Sequence, residues 1–173
     1  MYAKKMLLML GLASMALALV TMSAGVNLMT STNPSAFAQS EQKFNAKMTG
    51  KDEVPQKDTK ASGTAEFTLS ADGKTMSYVV NVTDIDTVTM AHIHSGKAGE
   101  NGPPVVWLYN ASSPTGPKNG ILSQGNFTAT DLVGPLKGKD MSDLVKLITT
   151  DKAYANVHTE QNPKGEIRGQ ISK

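Results

Sequence analysis

Cysteine is absent from the 173 residues. Its absence excludes disulfides, thiol nucleophiles, iron–sulfur clusters, cysteine-ligated zinc and blue copper centres, because each needs sulfur. Histidine is scarce, with three residues in the chain, and tryptophan occurs once. A charge surplus is missing too. Residues 1–38 carry Lys4 and Lys5 but no acid, so removing them takes two of 17 basic residues and none of the 15 acidic ones. The remainder is formally neutral, which argues against a nucleic-acid partner, since phosphate binding needs a basic surface.

The N-terminus reads as a secretory signal. Two lysines precede the apolar, uncharged run MLLMLGLASMALALVTM (6–22), and SAFA (35–38) supplies the small residues of a cleavage site. Cleavage after Ala38 leaves an exported chain beginning at Gln39. The run at 6–22 is nearly long enough to span a bilayer, so an uncleaved membrane anchor is the competing reading. Residues 39–43 form a polar lead, and 44–173 suit one domain with one core.

Within that domain the sequence alternates with period two. Ala65, Phe67 and Leu69 share one face of GTAEFTLS, and Met76, Tyr78, Val80 and Val82 share one face of TMSYVVNV. The Asp72-Gly73 turn between these runs predicts a hairpin. VVWLYN (105–110) reads as a buried strand with Trp107 in the core, and GILSQGNFTA (120–129) as another strand. In contrast, Met141, Leu144, Val145 and Ile148 recur at helical spacing behind Asp140 as N-cap, with Asp143 in the first turn. AYANVHTE and GEIRGQIS return to alternation. Short strands with turn signals between them predict an all-β, antiparallel sandwich or barrel with one short crossover helix at about 140–150.

Two of the three histidines, His92 and His94, sit in VTMAHIHS. On a strand they share a face about 7 Å apart, within reach of one cation. The third, His158, precedes NPKG (162–165), which suits a tight turn. A three-residue loop there pairs Asn162 with Glu166, Glu160 with Arg168 and His158 with Gln170. His158 and Arg168 then become diagonal neighbours on one face. Spacing alone leaves open whether the strand around 92 lies beside that around 158. The plain alternative is three solvated histidines and a surface ion pair between Arg168 and Glu160.

The segments GKDEVP, AHIHSGKAGENGPPVVWLYN, ATDLVGPLKGKDMSDLVKLI and AYANVHTEQNPKGEIRGQI together resemble the CHRD (chordin-type) domain family, in its single-domain secreted form. The likeness runs over roughly 44–172 in the family's order. It implies an immunoglobulin-like, extracytoplasmic β-sandwich and little about activity. The site also resembles, more distantly, that of copper–zinc superoxide dismutases. Those β-sandwiches hold copper through an H-x-H pair and a histidine on a late strand, with an arginine that guides the anion. His92, His94 and His158 match the ligands in order, and Arg168 matches the arginine. The bridging and zinc-site histidines have no counterpart here, nor has the disulfide.

A thiol-free, three-imidazole site suits copper(II), with zinc as the alternative, and leaves a coordination position open. Glu160 and Gln170 are candidates to orient a ligand or a water. Arg168, with Lys97 and Lys164, supplies local positive field for a small anion. The favoured reading is an exported mononuclear copper protein with superoxide dismutase activity, its catalytic arginine being Arg168. Two alternatives stand beside it. One is a copper storage or delivery protein that exchanges metal with a donor or acceptor protein. The other is a metal-free extracellular interaction module using loops 95–104 and 111–119.

Overall fold

The computed structural model describes residues 40–173, and the expected signal segment, cleavage point and anchor lie outside them. The described residues form eight strands, β1 (Gln42–Thr49), β2 (Ser62–Leu69), β3 (Thr75–Ile85), β4 (Val88–Ser95), β5 (Pro104–Asn110), β6 (Lys118–Thr128), β7 (Ala153–Thr159) and β8 (Ile167–Gln170). One α-helix, α1 (Met141–Thr149), precedes β7. All pairings are antiparallel, in the order β5-β4-β7-β8-β1-β2-β3-β6. No described helix is long and apolar enough to cross a membrane.

The sheet folds over itself along β8 and β1. These strands share one register pair, Thr49 with Arg168, beside a bridge between Asn45 and Ser172. The halves β5-β4-β7-β8 and β1-β2-β3-β6 enclose a single apolar core that includes Phe44, Phe67, Met76, Ile93, Val157 and Ile167. At the far side β5 and β6 come into contact, and the Tyr78 hydroxyl donates to the Leu108 carbonyl at 2.8 Å. The result is nearly a barrel, as the all-β antiparallel expectation requires.

Local chemistry accounts for the elements. The β2–β3 hairpin turns at Gly73, whose φ of 70° a residue with a side chain rarely adopts. Helix α1 starts at a capping box in which Asp140 and Asp143 each bond the other's backbone N–H. Of the four positions its periodicity picks out, it buries Met141, Leu144 and Ile148, and Val145 is half-buried against the core.

Two expectations need correction. Trp107 is not in the core: it is 44% exposed. Register breaks occur in the β4–β5 pairing, which runs Ala91–Tyr109, His92–Trp107, Ile93–Val106 and His94–Pro104. Leu108 and Val105 are thus extra residues in β5, and both are buried. Such bulges re-aim side chains, and here Trp107 turns outward while Val105 and Val106 both go in.

The β7–β8 register also differs. Asn156 pairs with Arg168 and Tyr154 with Gln170, so the connecting loop is longer than a tight hairpin. The 162–165 turn does form, with Gly165 N–H bonded to the Asn162 carbonyl at 2.9 Å. However, Glu166 is drawn inward, its carboxylate accepting 2.7 Å bonds from the hydroxyls of Thr59 and Thr159. The ladder therefore ends early. The shift is an even number of residues, so His158, Arg168 and Gln170 keep their common face.

Candidate metal centre

β4 and β7 are neighbours, and that adjacency decides the site. Their register sets His92 opposite Asn156, His94 opposite Tyr154 and Met90 opposite His158. From Met90 onward in β4, and along β7, even-numbered side chains share the outer face, while Ala91, Ile93, Ala155 and Val157 point into the apolar core. All three imidazoles meet. Ring centroids lie 5.3 Å apart for His92–His94, 5.0 Å for His92–His158 and 5.5 Å for His94–His158. One nitrogen from each falls within 4.8 Å of the other two.

The rings are 4%, 8% and 5% exposed for His92, His94 and His158, although they lie on the outer face of the sheet. Three segments that reach the outer face bond to this layer. The segment around Asp52–Glu53 presents the Asp52 carbonyl to Arg168 Nε at 2.7 Å. The 96–103 loop presents the Gly102 carbonyl to His94 and the Glu100 carbonyl to Arg168 Nη1 at 2.9 Å. The 159–166 loop presents the Pro163 carbonyl to His158. Two glycines make this close covering feasible. A Cβ on Gly102 would collide with the Ser95 carbonyl, and one on Gly165, at φ 129°, would lie 2.5 Å from Glu53 Oε1.

The protonation pattern follows from these bonds. A carbonyl only accepts, so His94 Nδ1 carries the proton it donates to Gly102 at 2.8 Å, and His158 Nδ1 the one it donates to Pro163 at 3.2 Å. Each Nε2 is left as a bare lone pair. Both are buried without a hydrogen-bond partner, as are both ring nitrogens of His92. Burial pushes the pKa of His92 down to about 3 and that of His158 down to about 4, helped by the neighbouring imidazoles. Burial lowers His94 as well, against the Gly102 bond. The cluster is therefore neutral at pH 7, the form in which imidazole binds metal.

The donor set fits a transition-metal ion. A buried unpartnered polar atom costs about 1–3 kcal/mol, and one cation would satisfy a nitrogen on each ring. Anchoring Nδ1–H on a carbonyl is how metal-binding histidines fix their tautomer and ring orientation. Nitrogens about 2.1 Å from one tetrahedral ion lie about 3.4 Å apart, so a set spread over up to 4.8 Å draws inward to share one ion.

Arg168 stands on the same face but not as a free neighbour of His158. Its Nε lies 3.4 Å from Glu53 Oε2, and its guanidinium carbon lies 4.7 Å from the centre of the Tyr154 ring. Tyr154 in turn stacks on His94 at 5.0 Å. Only Nη2 of Arg168 is buried without a partner. Glu160, expected opposite Arg168, is exposed, and its backbone N–H bonds the Thr87 carbonyl at 3.1 Å. Gln170 Nε2 donates to the Gly96 and Asp151 carbonyls at 3.0 and 2.8 Å, fastening two loops rather than a histidine.

Glu53 takes the ion pair with Arg168 that spacing gave to Glu160, and Asn156 holds Glu53 in place. Asn156 Nδ2 donates to Glu53 Oε1 at 2.5 Å and to the Ile167 carbonyl at 2.9 Å. Burial raises the Glu53 pKa, opposed by the charge of Arg168. Glu53 sits in DEVP, outside any alternating run, so periodicity held no signal for it. Asn156 had one: an amide on the same strand face as His158.

A buried three-imidazole cluster on a nearly closed antiparallel sheet defines a β-domain with a candidate metal centre. The chain belongs to the CHRD domain family, whose model matches residues 44–171. No curated protein and no solved structure matches the chain.

Proposed function

We propose that the chain is an exported copper-binding protein that holds one ion on His92, His94 and His158. The observation that supports it is the set of buried, neutral ring nitrogens without partners, two of them oriented by Nδ1–H bonds to carbonyls. Copper is favoured because an all-nitrogen site without thiolate binds it more tightly than zinc by the Irving–Williams order. Export rests on the signal-like residues 1–38, with retention through 6–22 as the other outcome. Burial of all three rings and the tethering of Arg168 favour storage or delivery, with a metal donor or acceptor as partner.

One observation favours a second reading, superoxide dismutation. Three protein ligands leave a coordination position open, and Arg168 Nη2 is an unpartnered cationic donor beside Tyr154, which stacks on His94. When bound, copper would supply one-electron chemistry, and Arg168 would position the small anion.

Titration of residues 39–173 with copper(II) and with zinc tests both. One copper per chain with a type 2 paramagnetic spectrum is expected, and no stoichiometric binding of either ion refutes the metal reading. Superoxide loss that disappears in Arg168→Met, with copper still bound, supports turnover. Stoichiometric copper without that activity leaves storage or delivery.

A further inference from the structure

The three imidazoles are not held alike. His94 and His158 are each fixed by a carbonyl, whereas neither nitrogen of His92 has a hydrogen-bond partner. Ring packing has to position His92 instead. Besides the other two histidines, its packing partner is Trp107, with centroids 4.2 Å apart and planes at 67°. This contact depends on the irregularity in β5: an unbroken register continuing from Ala91–Tyr109 would set Leu108 opposite His92. The indole also meets solvent, being 44% exposed, while the rings behind it are buried. It therefore stands between the least tethered ring and bulk water.

We propose that Trp107 is a positioning residue for His92 that controls how fast metal enters and leaves the three-histidine centre. The inference rests on the metal-binding reading and adds a kinetic role to it. The indole packs edge-to-face against the imidazole and leaves both nitrogens free, so His92 can swing from the ion without breaking a hydrogen bond. Displacing the indole then opens the path through which metal is handed over. Stoichiometry is set by the histidines and the exchange rate by Trp107.

Release of copper from the loaded protein into excess EDTA tests this. Trp107→Ala is expected to bind one copper and to release it about tenfold faster, the factor that losing an aromatic contact from the barrier supplies. Trp107→Phe keeps a wall and should stay near the wild-type rate. Ile121→Ala, at an exposed apolar position elsewhere on the sheet, should not change it. Equal release by Trp107→Ala and wild type overturns the proposal, as does equal acceleration by Ile121→Ala. In the metal-free protein, Trp107→Ala should also remove the indole ring-current shift from the His92 ring protons, and an unmoved His92 overturns the contact. A wild-type chain that binds no copper overturns the metal reading and this role with it. Loaded wild type with unaltered release in the variant overturns this role alone.

Discussion

The two halves of the sheet treat their outer faces differently. In β1 and β2, buried and exposed residues alternate along the strand, and Lys43, Asn45, Lys47, Thr64 and Glu66 reach water. In β7 all seven residues are buried, and β4 has four consecutive buried positions, Ala91 to His94. The difference lies above the sheet rather than in it. Loops around 52–53, 96–103 and 159–166 bond to the β4–β7–β8 face and create a second buried layer. The inner layer is apolar. The outer layer is His92, His94, His158, Asn156, Arg168 and Glu53. A polar layer is dear to bury and is held by mutual bonds, so its retention calls for a task that an apolar layer cannot perform.

The largest expected break in this comparison is at the histidines. Copper at a thousandfold excess over Kd stabilises the native state by about 4 kcal/mol. Thermal melts should show that gain in the wild type and lose it in His158→Ala. Next comes the buried ion pair. Arg168→Met strands the Glu53 carboxylate and should cost about 3–5 kcal/mol in urea unfolding. Asn156→Ala removes the donor that holds Glu53 and should cost about 1–3 kcal/mol. Glu66→Ala, on the open outer face of β2, should stay within about 0.5 kcal/mol. A Glu66 cost equal to that of Asn156 would erase the distinction between the two faces.

Acid should loosen the covered half in the metal-free protein. The three imidazoles titrate lower in the folded chain than the ordinary 6.5, to about 3 for His92 and about 4 for His158. Below pH 6.5 the unfolded chain therefore binds protons first, and stability falls as pH drops toward those values. Glu53 acts in the opposite sense, its raised pKa letting the folded chain take up a proton earlier. Three groups outweigh one. Hydrogen exchange should rise in β4 and β7 before β2 and β3 as pH falls from 6.5, and uniform protection would contradict the account.

Much of this was legible from residue pattern. The Asp72-Gly73 hairpin, the faces of β2 and β3, and α1 with its Asp140 cap follow from local periodicity and turn chemistry. The shared face of His92 and His94 follows from strand geometry alone. Convergence with His158 depended on β4 lying beside β7, a long-range pairing that only family resemblance signalled. Trp107 faces outward because extra residues in β5 break the alternation that would carry it into the core. The β7–β8 register escaped because buried Glu166, bonded to Thr59 across the fold, ends the ladder before the turn does. Glu53 arrives from a segment without alternation, so nothing nearby marks it as the partner of Arg168.

Anomalous diffraction at the copper edge, from crystals of the loaded chain, tests the convergence of the three rings most directly. The account predicts one peak about 2.0–2.1 Å from a nitrogen of each of His92, His94 and His158. A peak elsewhere, or copper held by only one of these rings, would contradict it.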